Sequence, residues 1–218
     1  MRFFKRARVP VVSAQEGYRR WAASYREETN PIKENSDRLI EKWFPEVTGK
    51  VVLDAGCGAG TFCELAETRG AVSVTGVDLS PEMLEIAKTY CKRTEFLCLD
   101  LNADAVPLNK YDLVICGLVL GHCENLQVVL ENLRNSLIPG GQLIITDFHP
   151  RQSLQNAKRT FRDCSNGQTI EIRHFTHLLS DYFSGLSRLG FSLEEVEEPS
   201  WMGTPVIFGI KARIMLRS

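Results

Sequence analysis

The chain has 218 residues, 44% hydrophobic and 24% charged, which suits one globular domain with a sizeable core. A formal net charge of −1 and a pI near 6.4 supply no general pull toward nucleic acid, so small-molecule partners are expected. No apolar run approaches the roughly 18 residues that cross a bilayer, and seven cysteines without a Cys-x-x-Cys pair or zinc-type spacing read as reduced thiols in a soluble, cytoplasmic protein.

Arg2, Lys5, Arg6 and Arg8 open the chain with no acid among the first fifteen residues, and Val9 to Val12 is too short an apolar run for a secretory signal. A basic flexible tail is therefore expected over residues 1–13, with a single domain over 14–218. Helices are expected near 14–28 and 32–43, the second opened by Asn30-Pro31 as cap and first-turn residue. Tyr18, Trp21 and Tyr25 stand at i, i+3 and i+7 on one helical face, which either packs on a sheet edge or closes over a ligand. Beyond Lys50, apolar runs near 51–55, 73–78, 94–99, 111–116 and 141–147 alternate with helical patterns near 60–69, 81–90 and 124–136. That alternation predicts an α/β doubly wound sheet whose ligand crevice lies at the carboxyl ends of the strands, bringing Asp54, Asp78, Asp100 and Cys116 together. The segment 148–176 breaks the alternation: Arg159–Asp163 and Gln168–Ile172 flank the turn Ser165-Asn166-Gly167, so a β-hairpin lid is expected over the site. A helix near 177–189 and strands near 191–197 and 205–215 complete the chain.

The stretch Val51-Val-Leu-Asp-Ala-Gly-Cys-Gly-Ala-Gly-Thr-Phe62 joins an apolar strand to a helix through a turn almost free of side chains, so backbone N–H groups can meet a ligand's polar end. A dinucleotide fingerprint requires glycine at the position of Thr61. With Gly56, Gly58 and Gly60 preceded by Asp54, the pattern resembles the class I S-adenosylmethionine-dependent methyltransferases. Val74 to Leu84, Leu99-Asp100-Leu101, Tyr111 to Cys116 and Leu137 to Ile145 resemble that family's next four segments in order, and Gly17 to Tyr25 resembles the lid helix of its small-molecule branch, with Arg19 and Arg26 where relatives often carry Asp.

The resemblance implies a Rossmann-like seven-stranded sheet with an antiparallel last strand, N-terminal helices, and S-adenosylmethionine as cofactor. Asp78, about 20 residues beyond the glycine turn, would accept from the ribose diol; its alternative role is capping the helix at Ser80-Pro81. Asp54 either organises the glycine loop or reaches the ligand's ammonium group. Asp100 and the Leu101 N–H would meet adenine, Asp100 alternatively capping the end of its strand; Leu79 and Met83 would wall it, Met83 being alternatively core, and Tyr18 and Tyr25 would cover the methionine end or the acceptor.

His122, His149, His174 and His177 all fall on segments expected at the crevice, and an ordinary imidazole pKa suits proton removal at neutral pH. His149 is the first choice as base, with capping of the turn into Pro150 as the alternative; His174 and His177 approach from the lid. These histidines and Asp147 lack metal-ligand spacing, so no metal is expected. The implied reaction is methyl transfer to an O, N or C nucleophile of a small or mid-sized metabolite. The alternatives are an NAD-dependent oxidoreductase, which Thr61 disfavours, and a non-catalytic S-adenosylmethionine-binding module.

Overall fold

The computed structural model describes residues 9–216, so the basic cluster Arg2, Lys5, Arg6 and Arg8 lies outside the described residues. In chain order the elements are β1 (Val11–Val12), α1 (Ala14–Tyr25), α2 (Pro31–Trp43), β2 (Val51–Ala55), α3 (Thr61–Thr68), β3 (Ser73–Asp78), α4 (Pro81–Tyr90), β4 (Glu95–Cys98), β5 (Tyr111–Gly117), α5 (Leu126–Ser136), β6 (Leu137–Phe148), α6 (Pro150–Leu154), β7 (Thr160–Arg162), β8 (Thr169–Ile172), α7 (Leu179–Arg188), β9 (Phe191–Glu197), β10 (Ser200–Trp201), β11 (Thr204–Pro205) and β12 (Ile207–Ile214). Helix starts follow local chemistry. Ser13 accepts from the Glu16 N–H, Asn30 from Ile32 ahead of Pro31, and Ser80 from Met83 ahead of Pro81, each satisfying an N-terminal donor that the helix itself leaves free.

The main sheet has the order β4-β3-β2-β5-β6-β12-β9. β2 pairs in parallel with both β3 and β5, and β12 runs antiparallel to its neighbours β6 and β9. Side chains alternate between two buried faces, which is why the strands read as continuous apolar runs. Leu53, Val114 and Cys116 face α5 and α7, packing with Leu130, Leu133, Tyr182 and Leu186. Val52, Leu113 and Ile115 face α2 and α3, packing with Ile40, Trp43, Phe62 and Cys63. Each such aliphatic side chain contributes roughly 1.5–3 kcal/mol of burial. The strand order reverses between β2 and β5, and a crevice opens there at the carboxyl ends.

Two findings modify the sequence reading. The presumed tail of 1–13 is not all tail: Val11 and Val12 form β1 and pair in parallel with Glu171 and Ile172 of β8, making a three-stranded lid sheet ordered β1-β8-β7. That lid sheet is bound to α1, because Phe161, Ile170 and Ile172 are buried against Val12, Ala14, Tyr18 and Trp21, with the Trp21 and Phe161 rings stacked at 5.0 Å and 13°. The second finding is α6, a single turn begun by Pro150 where the sequence suggested only a turn.

Candidate active site

The glycine turn after β2 has left-handed backbone at Gly56 (φ 80°) and Gly58 (φ 49°). A Cβ at Gly56 would stand 2.1 Å from Val119, so no side chain fits there. At Gly58 the only neighbour within 4 Å of a Cβ among the described residues is Tyr25, 3.7 Å away, and the loop is left open on that side. The Gly58 N–H donates to Asp78 Oδ2 at 2.8 Å, and the Ser80 N–H donates to Oδ1 at 2.9 Å. Asp78 thereby links the glycine turn after β2 to the end of β3. Burial pushes its carboxyl above the ordinary range, and those N–H groups oppose the shift.

A cavity runs from this turn across the strand ends. Its lining includes Tyr18, Tyr25, Gly56, Gly58, Asp78, Leu79, Asp100 and Leu101, eight of the residues expected to meet the cofactor. Asp100 Oδ1 accepts from the backbone and side-chain N–H groups of Asn102, so it also orders its own turn. Asp54 is buried beneath the loop and lines a smaller adjoining recess with Tyr25, Lys33, Ser36 and Asp37. Burial raises its carboxyl to about 7, against a long contact from Cys63 Sγ.

Met83 and Cys116 do not line the cavity. Met83 is fully buried with Ala22 and Ala59 as packing beneath it. The period-2 parity of β5 turns Cys116 into the α5/α7 core, and the cavity is lined instead by Gly117, Leu118 and Val119. Leu118 holds a left-handed φ of 59°, a strained conformation for a branched side chain, and lines this cavity, the Asp54 recess and a further cavity.

That further cavity is walled by Tyr18, Trp21, Tyr25, Phe148, Lys158, Arg159, Thr160 and Ile172, under the lid, and shares Tyr18, Tyr25, Leu118 and His122 with the first. The histidine at the junction is thus His122. Its Nε2 lies 3.0 Å from the Tyr18 hydroxyl and 3.1 Å from Arg159 Nη1, while Nδ1 lies 3.1 Å from the Arg173 carbonyl. With a carbonyl on one side and a guanidinium donor on the other, the consistent tautomer carries hydrogen on Nδ1 and accepts at Nε2. Burial, reinforced by Arg159, pushes the imidazole pKa down to about 3.

His149, His174 and His177 line neither cavity. His149 caps α6, accepting from the Arg151 N–H through Nδ1 and donating through Nε2 to Glu198, so it fills the capping alternative. His174 meets Ser153 at 3.2 Å, and His177 donates to the Cys123 carbonyl from a separate surface groove. Sequence spacing put them near the sheet's edge, but the direction of each ring follows from local turns that spacing does not fix. Among the described residues, no group of His, Cys, Asp and Glu side chains could hold a metal ion, and no helix is long and apolar enough to cross a membrane.

Arg159, read in the sequence only as part of a lid strand, lines the second cavity. Arg159 Nη2 donates to buried Asp147 Oδ1 at 2.6 Å, and Asp147 also accepts from the Gly121 N–H, the Tyr182 hydroxyl and the Phe148 N–H. An arginine at the head of a predicted lid strand was the available signal.

Residues 53–145 match a methyltransferase-domain family model. A demethylmenaquinone methyltransferase of Tropheryma whipplei is 28% identical over 177 residues, covering 75% of this chain and 73% of that protein. A ubiquinone biosynthesis O-methyltransferase of Coxiella burnetii is 31% identical over 105 residues, covering 46% and 44%. The crystal structure of an S-adenosylmethionine-dependent methyltransferase from Mesorhizobium loti superposes with a TM-score of 0.69 at 24% identity, covering 81% of this chain and 96% of that one, which shows a shared fold. The methyltransferase domain at residues 53–145, these relatives and the shared fold make the chain an S-adenosylmethionine-dependent methyltransferase, an enzyme that takes S-adenosylmethionine as methyl donor.

Proposed function

We propose that this enzyme methylates a small or mid-sized metabolite with a planar ring, bound in the cavity beneath the lid. The observation that carries the reading is the pair of cavities meeting at Tyr18, Tyr25, Leu118 and His122, one beside the glycine loop and one walled by Trp21, Phe148, Arg159 and Thr160. Bound S-adenosylmethionine supplies a methyl group already activated by a positive sulfur. The protein's tasks are to hold the two molecules in line, exclude water and choose the acceptor. In this reading Asp78 holds the ribose hydroxyls, Asp100 and Leu101 meet adenine with Leu79 as an apolar wall, Asp54 faces the amino-acid end, and Tyr18 and Tyr25 separate the two ligands. Aromatic walls suit a flat acceptor, and the relatives named for demethylmenaquinone and ubiquinone biosynthesis make quinone-type rings a reasonable first class.

The test is S-adenosylhomocysteine release from S-adenosylmethionine with a panel of hydroxylated quinols, catechols and aliphatic amines, alongside transfer RNA and protein fractions. Turnover confined to ring compounds is expected. Turnover only with amines or macromolecules would overturn the reading.

A further inference from the structure

Arg159 is held more tightly than a surface arginine and is still incompletely bonded. Its side chain is 12% exposed, its Cζ lies 4.9 Å from the centre of the Phe148 ring, and its Nη atoms engage Asp147 and His122. A Cβ at position 121 would come within 2.7 Å of Nη2, so glycine there leaves room for the guanidinium. The Nε–H is buried and has no hydrogen-bond partner among the described residues. A buried donor on a cation costs roughly 1–3 kcal/mol when left unmade, and an ionised oxygen satisfies it best.

Cations also outnumber acids on the wall of this cavity. Lys33, Lys158 and Arg159 line the cavity against one acid, Glu28, which already accepts from Trp21 Nε1. Lys33 is paired to Asp37 and Lys158 to Glu171, both acids standing outside the lining. The nearest imidazole cannot serve as a proton acceptor, because the lone pair of His122 Nε2 is engaged and the ring stays neutral.

Building on the acceptor reading above, we propose that Arg159 selects an acceptor bearing a phenol or enol hydroxyl and binds it as the anion. On binding, the acceptor's O–H bond breaks, its electron pair stays on oxygen against the guanidinium, and the proton goes to solvent water. That pair, on the oxygen or the ring carbon conjugated with it, is the nucleophile. Specificity for an ionisable hydroxyl and removal of the proton are then one function of one residue, with no general base.

The test uses 4-nitrophenol, whose absorbance reports its ionisation, added to the full chain saturated with S-adenosylhomocysteine. The anion should bind at least about tenfold more tightly than the phenol, which lowers the apparent ionisation midpoint by about one pH unit. Arg159→Gln should abolish that shift while S-adenosylhomocysteine affinity by calorimetry stays within about threefold. Arg159→Lys, which keeps the charge and lacks the Nε donor, should retain part of it and covers the case of a poorly folding Gln variant. The proposal is overturned if wild type leaves the midpoint unmoved, fails to bind nitrophenol, or binds benzoate and no phenol, or if Arg159→Gln keeps the full shift. Failure of wild type to bind S-adenosylhomocysteine would instead strike the cofactor reading, so the two failures separate.

Discussion

Two donors converge on Nε2 of His122, from Tyr18 and Arg159, and the ring is neutral above a pKa of about 3. Its pKa is depressed below the unfolded value, so its stabilising contribution is present above about pH 6.5 and is lost as pH falls toward 3. His122→Ala should therefore destabilise the protein by roughly 1–3 kcal/mol at pH 7, by orphaning two donors, yet leave no missing acid limb in the pH–rate profile. A wild-type limb near pH 6.5 that vanishes in the variant would assign it as a base after all. Asp54 has the opposite sign. Its raised pKa of about 7 means the stability of the ligand-free protein is fullest below the unfolded value near 4 and declines as pH rises through 7. If Asp54 meets the ligand's ammonium group, binding S-adenosylhomocysteine pulls that pKa down and releases a proton. Calorimetry at pH 6.5 in phosphate and Tris should then differ in apparent enthalpy, and Asp54→Asn should remove the difference; equal enthalpies in wild type would contradict the assignment. The position of Asp78 beside the glycine turn was legible in the sequence because both belong to one β–α–β unit, β2–α3–β3. His122 was named there but not preferred, since its neutrality depends on Tyr18, Arg159 and Arg173, far apart in the chain.

The lid helix α1 is fastened at its carboxyl end by Arg26, one of the two arginines that depart from the family pattern. Arg26 Nη1 donates to the Ala59 carbonyl of the glycine loop at 3.2 Å, Nη2 pairs with Glu64 of α3, and the guanidinium lies 3.4 Å over the Tyr90 ring of α4. The pair is partly exposed, so its net worth is on the order of 1 kcal/mol. Arg26→Ala should weaken S-adenosylhomocysteine binding by about three- to tenfold in calorimetry, and unchanged affinity would show that α1 is positioned without it. At the other end, the Trp21–Phe161 stack joins α1 to the β7–β8 hairpin. The hairpin was predictable from Asn166-Gly167 between two β-prone runs, whereas its third strand was not: two valines pairing with residues some 160 positions later leave no local pattern. Because α1 carries Tyr18 and Tyr25, shortening the hairpin should lower acceptor turnover strongly and weaken S-adenosylhomocysteine binding as well. Wild-type cofactor affinity in that variant would show that the lid moves independently of α1.

At the scale of the molecule, the sheet was legible because its parallel strands are buried on both faces and must be continuously apolar, and because short helices alternate with them. Strand ends were legible too, placing Asp54, Asp78 and Asp100 correctly along the chain. What escaped was side-chain direction at single positions, as with Cys116, where one step of parity separates core from cavity. The cavity proposed for the acceptor was the least legible part, since it is assembled from α1, the hairpin and the turn after β5, none of which specifies it alone. In the proposed reading, β2 and β3 end in a cofactor site organised by Asp78. It is tested most directly by titrating S-adenosylhomocysteine into wild type and Asp78→Asn, with thermal melting confirming that both are folded. Wild type is expected to bind in the micromolar range, roughly −7 to −8 kcal/mol, and the variant at least about tenfold more weakly, because a ribose diol loses its ionised acceptor. A folded wild type that does not bind the ligand, or a variant that binds it equally well, would overturn the assignment of Asp78.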